Sequence, residues 1–284
     1  MSLLRIFGLT SLAMLAFAGN SLLCRLALKH TPIDPASFTA IRLVSGALML
    51  FLIVKLRRKT VMGQGNWLSA FALFVYASGF SFAYVSLTAA TGALLLFGAV
   101  QATMISHGLW AGERLRSLQW LGLLLAFGGM VGLLLPGLAA PPLLGSILML
   151  GAGVAWGFYS LRGKGAGDPT GVTAGNFMRA APMAVVLSLL LLSQLQVHAS
   201  WNTAGFCYAL ASGALTSGIG YAIWYTVLPA LKATQAATVQ LSVPVIAALG
   251  GTAFLGETIT LRLILASIAI LGGIALVILE KRKI

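Results

Sequence analysis

The sequence predicts an all-α membrane protein of ten transmembrane helices, built as two five-helix repeats of inverted topology. Hydrophobic residues make up 59% of the 284 positions and charged residues only 8%, whereas a soluble globular domain carries roughly a quarter charged residues. Apolar runs of about 20 residues, long enough to cross the hydrocarbon core, follow one another along the whole chain. The two halves also align with each other. Together these three observations indicate a polytopic protein with an internal duplication.

Turn residues and charges divide the chain into ten candidate spans. The first half contains Ile6–Leu28, Ser37–Leu56, Trp67–Leu87, Thr91–Trp110 and Leu118–Leu135. The second half contains Leu143–Leu161, Thr173–Ser193, Thr203–Leu228, Thr234–Phe254 and Leu261–Leu279. The N-terminal run, with Ala16-Phe17-Ala18 before Gly19, also has the pattern of a cleavable signal peptide. The duplication favours a permanent first helix instead, because the second half has a counterpart to it.

The basic residues predict the orientation of the chain. With the N-terminus in the cytoplasm, thirteen Lys and Arg fall in cytoplasmic loops and tails and three fall outside, which follows the positive-inside rule. Both termini are therefore expected in the cytoplasm. The formal charge of +13 does not indicate nucleic-acid binding, because the charges cluster at the ends of apolar runs. The expected partners are the lipid bilayer and a small-molecule substrate, with the chain a monomer or a weak homodimer.

The two halves match at slowly growing offsets. The matching pairs are Arg25 with Arg162 and Arg42 with Arg179 at an offset of 137 residues, Ser78-Gly79 with Ser217-Gly218 at 139, and Gly112-Glu113 with Gly256-Glu257 at 144. Two diverged copies with small insertions produce this order, so we predict one repeat over residues 1–137 and another over 138–284. Since each copy has an odd number of spans, the second enters the membrane inverted. Secondary transporters commonly use this construction, with the substrate site between the halves and alternating access by symmetry.

The sequence resembles the drug/metabolite transporter superfamily, in its ten-span EamA-type branch, over essentially the whole chain. The matching stretches are Leu15–Ser21, Pro35–Leu50 with its Arg42, and Ala89–Leu135 with Gly112-Glu113 and a glycine-rich fifth span. In the second half the pattern returns in AATVQLSVPVIAALGGTAFLGETI and in the span with Gly272-Gly273. The resemblance implies an exporter of small metabolites in the bacterial inner membrane. Among its members, exporters of aromatic amino acids are the nearest functional model.

Aromatic residues on both halves are candidates for lining a substrate cavity. They repeat at helical spacing, so that members of a span share one face. The set is Tyr76, Phe80 and Tyr84 in the third span, Trp156 and Tyr159 in the sixth, and Tyr221, Trp224 and Tyr225 in the eighth. Anchoring at the membrane interface is the alternative use of Trp and Tyr. Trp67 and Trp120, which lie nearer span ends, fit that alternative.

Amide and guanidinium groups within the spans are the second set of candidates. Asn20 and Gln240 are predicted to contact substrate, and hydrogen bonding between helices is the alternative. Arg42 and Arg179 are predicted to act in gating or in the scaffold by bonding carbonyls at neighbouring helix ends, with a substrate clamp as the other possibility. Pro182 and Pro244 are predicted hinges. Glycines such as Gly128, Gly132 and Gly272-Gly273 predict close helix packing.

The acidic residues bear on energy coupling. All five fall in loops or at span ends, whereas proton-coupled antiporters usually keep a carboxylate in mid-membrane. His107 is the one histidine within a span, and packing is the favoured interpretation over proton coupling. We therefore expect gradient-driven export of amino acids, with proton-coupled export of other metabolites or drugs as the alternative. No catalytic constellation, metal site or cofactor motif is recognisable, so an intramembrane enzyme is not expected.

Overall fold

The computed structural model describes residues 1–58, 64–112, 114–137, 140–163, 167–195, 202–231, 236 and 239–279. Within these ranges the chain is helical and forms no strand. The helices of the first half are α1 (Leu3–His30), α2 (Pro35–Leu56), α3 (Trp67–Tyr84), α4 (Ala89–Trp110) and α5 (Ser117–Leu134). Those of the second half are α6 (Leu143–Gly163), α7 (Pro169–Leu195), α8 (Thr203–Ala230), α9 (Ser242–Leu255) and α10 (Leu261–Leu279).

Nine helices in the described part of the chain are long and apolar enough to cross a membrane. The remaining one, α9, has 14 residues and corresponds to the predicted span Thr234–Phe254, whose start at Thr234 lies outside the described residues. The predicted fold class, an all-α membrane protein with two sets of five helices, is confirmed. Of the five acids, Glu113 and Glu280 also lie outside the described residues.

Short polar residues determine where several helices begin. Asp34 Oδ1 accepts hydrogen bonds from the backbone N–H groups of Ala36 and Ser37, both at 2.9 Å. The side chains of Asn66, Thr88 and Asn202 cap α3, α4 and α8 in the same way. Such caps satisfy amide donors that have no partner within the helix.

Each major contact between the two halves either joins two equivalent helices or has a second copy in which the two repeats exchange roles. Equivalent helices pack on each other, α2 against α7 and α5 against α10. Helix α3 of the first repeat packs on α6 of the second, and the equivalent helices α8 and α1 pack on each other in the same way. Likewise α4 packs on α6, and the equivalent pair α9 and α1 is also in contact. This pattern is that of an internal two-fold axis relating two inverted repeats. The core therefore lies between the repeats rather than within either one.

Glycines bring α5 and α10 into close contact. A Cβ atom built on Gly129 would meet Ala269 Cβ at 2.7 Å, and Gly122 and Gly273 lie directly against each other. The predicted close-packing residues Gly128, Gly132 and Gly272 instead have open space in the Cβ position. These three glycines therefore do not mediate the contact within the chain, which uses an adjacent face of the same two helices, and their use in self-association stays a prediction.

We expect Gly273→Ala to destabilise the protein, in contrast to Gly272→Ala. The new methyl group at position 273 would meet the Gly122 carbonyl and the Ala126 amide nitrogen, which are backbone atoms that no rotamer change can move. Overpacking of this kind costs about 1 to 3 kcal/mol. At position 272 the methyl group enters open space, and alanine favours a helix over glycine by about 1 kcal/mol. Thermal unfolding of the two purified variants in detergent tests this, and equal midpoints would contradict it.

The two predicted hinge prolines occupy different positions in their helices. Pro182 lies inside α7 and removes a backbone donor there. Pro244 lies in the first turn of α9, where a backbone donor has no helical partner to lose. The chain is already interrupted before it, by a turn at Leu241. His107 is exposed on α4, so the predicted buried packing role is wrong.

Candidate functional site

A small cavity lies between the two repeats, near the middle of the helices. Its lining is mainly aromatic and comprises Phe17, Asn20 and Ser21 of α1, Tyr76 and Phe80 of α3, Leu96 and Phe97 of α4, Trp156 of α6 and Tyr221 of α8. The cavity volume is about 20 Å³, which is room for about one water molecule. The site is therefore contracted, with the rings themselves filling the space between the halves.

Four ring contacts connect the residues of the lining, and two of them, Tyr76 with Trp156 and Phe17 with Tyr221, cross the repeat interface. Trp156 lies between Tyr76 and Tyr221, with ring centroids 4.7 and 5.2 Å apart. Phe17 meets the edge of Tyr221 at 5.7 Å, and Tyr76 contacts Phe80 at 5.5 Å. Trp156 and Tyr221 come from the second repeat and the other three rings from the first. A change in the relative position of the repeats would separate these rings and enlarge the cavity.

The other aromatic candidates form a second layer around this lining. Tyr159 stacks on Trp156 at 5.3 Å, and Trp224 meets Phe17 at 5.9 Å. Tyr84 packs edge-on against Phe80 at 4.7 Å, while its hydroxyl donates to the carbonyl of Ala89 at 3.3 Å. Tyr225 is partly buried against the same core. Their direct contact with substrate stays a prediction.

Tryptophans near helix ends are clearly separate from this cluster. Trp67, Trp110 and Trp120 are 64%, 93% and 48% exposed, whereas Trp224 is 7% exposed. Exposed Trp at a helix end is typical of an interfacial anchor. The two uses of tryptophan that the sequence left open thus coexist in one chain.

Asn20 forms the polar part of the cavity wall together with α8. Its Oδ1 accepts hydrogen bonds from Ser212 Oγ at 2.7 Å and Thr216 Oγ1 at 3.3 Å. Gln240, the other predicted amide, instead donates to the Ala236 carbonyl one turn earlier at 3.1 Å and does not line the cavity. Only Asn20 of this pair is therefore placed to meet a solute in this conformation.

The segment of α8 that faces Asn20 is a π-helix, over Ser212–Ile219. Single π-helical turns inside α-helices are frequent at functional sites because the extra residue re-aims side chains. Here the segment presents Ser212 and Thr216 to α1, while Ser217 accepts from Arg42 of α2. Gly213 permits the close approach, since a Cβ atom there would collide with the Arg42 carbonyl.

Arg42 is buried behind the ring layer, with 1% of its surface exposed. Its Nε donates to Ser217 Oγ at 3.2 Å and its Nη2 to Tyr76 Oη at 3.1 Å. The guanidinium carbon lies 4.9 Å from the Phe80 ring centre and 5.3 Å from that of Tyr76. Nη1 is buried and has no hydrogen-bond partner among the described residues. Every side chain that Arg42 contacts in these bonds and stacks is neutral.

Arg179, the repeat counterpart of Arg42, has a different environment. Its Nη1 donates to the carbonyls of Gln64 at 2.6 Å and Gly175 at 2.8 Å. This arrangement is the one predicted for a scaffold role, in which the guanidinium bonds backbone carbonyls. Residues that match in sequence therefore differ in the structure, and their roles in gating stay predictions.

A buried ion pair closes one face of the molecule, which we call the far face because α1 ends there. Arg25 Nε lies 3.0 Å from Glu257 Oε1, and its Nη1 donates to the carbonyls of Tyr84 and Val85 at 2.9 and 3.0 Å. Glu257 Oε2 also accepts from the first amide of α4, Ala89 N, at 2.8 Å. The pair thus connects the last part of α1 to the α3–α4 turn and to the segment that follows α9.

At the opposite face, where α1 begins, two arginines donate hydrogen bonds to hydroxyl and amide oxygens. Arg162, the repeat counterpart of Arg25, donates to Ser69 Oγ at 3.1 Å and Asn66 Oδ1 at 3.2 Å. Arg57 donates to Thr170 Oγ1 at 3.3 Å. We call this the terminal face. The repeat counterparts Arg25 and Arg162 thus lie at opposite faces, as the inversion requires.

Two features of the site were not singled out as site residues from the sequence. Phe17 and Phe97 line the cavity although each is one apolar residue among many in its span. Arg25 and Glu257 lie 232 residues apart, yet both belong to the matching positions of the two repeats. The duplication therefore drew attention to both residues, but it did not indicate that they contact each other. Among the described residues, no three His, Cys, Asp or Glu side chains are close enough to hold a metal ion.

Two five-helix repeats around a cavity at their interface are a construction that is common among membrane transporters. The EamA-like transporter family model matches the chain twice, over residues 5–135 and 143–279. The chain belongs to this family, within the drug/metabolite transporter superfamily, and it is a multi-pass membrane protein of a bacterial transporter family.

Proteins of several bacteria are similar to this chain. The "uncharacterized protein PA1977" of Pseudomonas aeruginosa is 59% identical over 271 residues, 95% of this chain and 93% of that protein. The uncharacterized transporter YoaV of Bacillus subtilis is 27% identical, over 85% of this chain and 86% of the YoaV chain. The threonine/homoserine exporter RhtA of Escherichia coli K12 is 32% identical, over 50% of this chain and 48% of the RhtA chain. A crystal structure 19% identical superposes with a TM-score of 0.70 over 98% of both chains, which shows the shared fold.

Proposed function

We propose that this protein exports small metabolites, namely aromatic and neutral amino acids, across the bacterial inner membrane by alternating access. The observation that carries the proposal is the contracted aromatic cavity lined by both repeats. A site shared by two symmetry-related halves opens to one side or the other when the halves move relative to each other. The far face, closed by Arg25 and Glu257, is one of the two gates in this scheme.

The chemistry of the cavity wall supports the substrate class. Stacked rings of Tyr76, Trp156 and Tyr221 offer apolar and π surface for a side chain. Asn20 and its hydroxyl partners offer hydrogen bonds for a polar backbone group. The named activity of RhtA, export of threonine and homoserine, is of the same kind. Gradient-driven transport and the cytoplasmic position of the terminal face are parts of this proposal.

The proposal is tested by flux into proteoliposomes loaded with labelled solutes. We expect phenylalanine, tryptophan and neutral aliphatic amino acids to cross faster than through empty vesicles. A proton gradient imposed across the vesicle should leave the rate unchanged, since the expected driving force is the solute gradient alone. Rates equal to those of empty vesicles for every amino acid would contradict the substrate class. A rate that follows the imposed pH gradient would contradict the driving force.

A further inference from the structure

We infer that Arg42 binds the carboxylate of the transported solute, so that the carboxylate is required for recognition and the amino group is not. The inference rests on the proposed function and specifies which part of the solute the site reads. It is carried by the environment of the Arg42 guanidinium: burial, neutral hydrogen-bond partners, a terminal nitrogen without a partner among the described residues, and contact with two rings of the cavity lining.

An arginine buried in a membrane protein keeps its charge, and an isolated buried charge is strongly unfavourable without compensation. Arg42 forms no ion pair with any acid in the described ranges. Of those acids, Glu257 is bonded to Arg25, and Asp34 caps the start of α2. The hydroxyls of Ser217 and Tyr76 and two aromatic faces compensate the charge only in part. The carboxylate of a bound solute would supply the missing counter-charge and an acceptor for Nη1.

The rings that cover Arg42 are the same rings that fill the cavity. Tyr76 and Phe80 contact the guanidinium and also line the cavity. With room for about one water molecule, the cavity accepts a solute only if rings move aside. Rotation of Tyr76 or Phe80 would therefore make space for the solute and uncover Arg42 in one step. A carboxylate entering there carries the opposite charge, so its hydrogen bonds to the guanidinium are stronger than the bond that Arg42 makes to the neutral Tyr76 hydroxyl.

The amino group of an amino acid finds no comparable partner in the described part of the cavity wall. The polar groups there are the Asn20 amide and the Ser21 and Tyr hydroxyls, and no carboxylate belongs to the lining. These groups accept a hydrogen bond from an ammonium but do not neutralise it. Recognition by this site is consequently expected to follow the carboxylate and the apolar side chain.

The test is binding to the purified full-length protein, by thermal shift and tryptophan fluorescence. The probes are phenylalanine, 3-phenylpropanoate, its neutral amide 3-phenylpropanamide, and 2-phenylethylamine. We expect the two carboxylates to bind roughly ten- to a hundredfold more tightly than the amide and the amine, the range of a hydrogen bond to a charged group. Equal affinity for the acid and its amide would overturn the inference.

Variants at position 42 test whether Arg42 causes the preference for the acid over the amide. In Arg42→Gln the acid and the amide should bind equally, whereas Arg42→Lys, which keeps the charge, should retain a reduced preference for the acid. Arg262→Gln is the control, since Arg262 bonds the carbonyl of Gly132 on the outer helix pair α5–α10 and should keep the full preference. A preserved preference in Arg42→Gln would overturn the assignment.

The outcomes separate this inference from the proposed function. If phenylalanine crosses proteoliposomes and the amine binds as well as the acid, the proposed function stands and the inference fails. If the carboxylates bind but no amino acid is transported, the inference stands and the transport proposal fails. If none of the four probes binds, both fail for aromatic solutes. Should Arg42→Gln not fold, the wild-type comparison of acid and amide, together with Arg42→Lys, still decides.

Discussion

Glu257→Gln should open the far face and slow transport strongly. The substitution leaves Arg25 buried without its counter-charge, and breaking a buried ion pair in this way costs about 3 to 5 kcal/mol. Because the pair connects α1, α9 and the α3–α4 turn, this cost falls on the conformation in which the far face is closed. A bias of about 3 kcal/mol changes the ratio of two conformations by roughly a hundredfold. The transport cycle would then be held with the far face open.

A native cysteine can report this opening. Cys24 is fully buried beside Arg25, and the other cysteine, Cys207, is exposed. In a Cys207→Ser background, a membrane-impermeant maleimide should label Cys24 slowly, and Glu257→Gln should raise the labelling rate. Labelling of intact spheroplasts from outside would also establish which face is periplasmic. We predict that it is the far face.

Two controls separate loss of the pair from loss of charge alone. Asp34→Asn removes a carboxylate near the same face while keeping a side chain that caps α2 well, so it should label and transport like the parent. The double variant Arg25→Gln/Glu257→Gln removes both charges and should be less impaired than Glu257→Gln, since no buried charge is left unpaired. Unchanged labelling and flux in Glu257→Gln would show that the pair does not hold the far face closed.

Trp156→Ala and Tyr221→Ala should each reduce flux at least about tenfold. Each ring contacts aromatic partners from the other repeat, and aromatic side chains contribute both large contact area and about 0.5 to 1.5 kcal/mol per ring pair. Loss of two or more such contacts removes the wall against which a solute side chain would lie. Initial rates of labelled phenylalanine uptake in proteoliposomes measure the effect.

The matched control is another tryptophan outside the cavity. Trp110 is 93% exposed at the end of α4, so Trp110→Ala should keep most of the flux, and so should Trp67→Ala and Trp120→Ala. Tyr221→Phe keeps the ring and should retain more flux than Tyr221→Ala. Equal impairment of the cavity and anchor variants, at equal expression, would contradict the assignment of the cavity.

Helical repetition in the sequence predicted part of the site and could not predict the rest. Tyr76, Phe80 and Tyr84 share one helical face, as their spacing requires, but only the first two line the cavity. Tyr84 lies one turn nearer the far face, where α4 begins and covers it. Depth along a shared face depends on which helix lies opposite, and periodicity within one helix holds no information on that.

The same limit applies to the arginines. Arg42 and Arg179 are equivalent in the duplication, so the sequence assigns them the same role. In the structure Arg42 is buried against Ser217 and Tyr76, whereas Arg179 bonds backbone carbonyls. The second repeat lacks an aromatic residue at the position matching Tyr76, since Leu215 stands there. Diverged neighbours have thus given equivalent residues different surroundings.

The sequence by itself determined that this chain is an all-α membrane protein and that a second set of five helices repeats the first. Those properties follow from apolar length, charge and internal similarity, which can be counted along a single chain. Only the tertiary structure decided which rings meet at the interface, that Arg25 pairs with Glu257, and that Arg42 is buried without a counter-charge. These depend on distances between helices far apart in sequence, and in an apolar chain almost every helix face is able to pack against another.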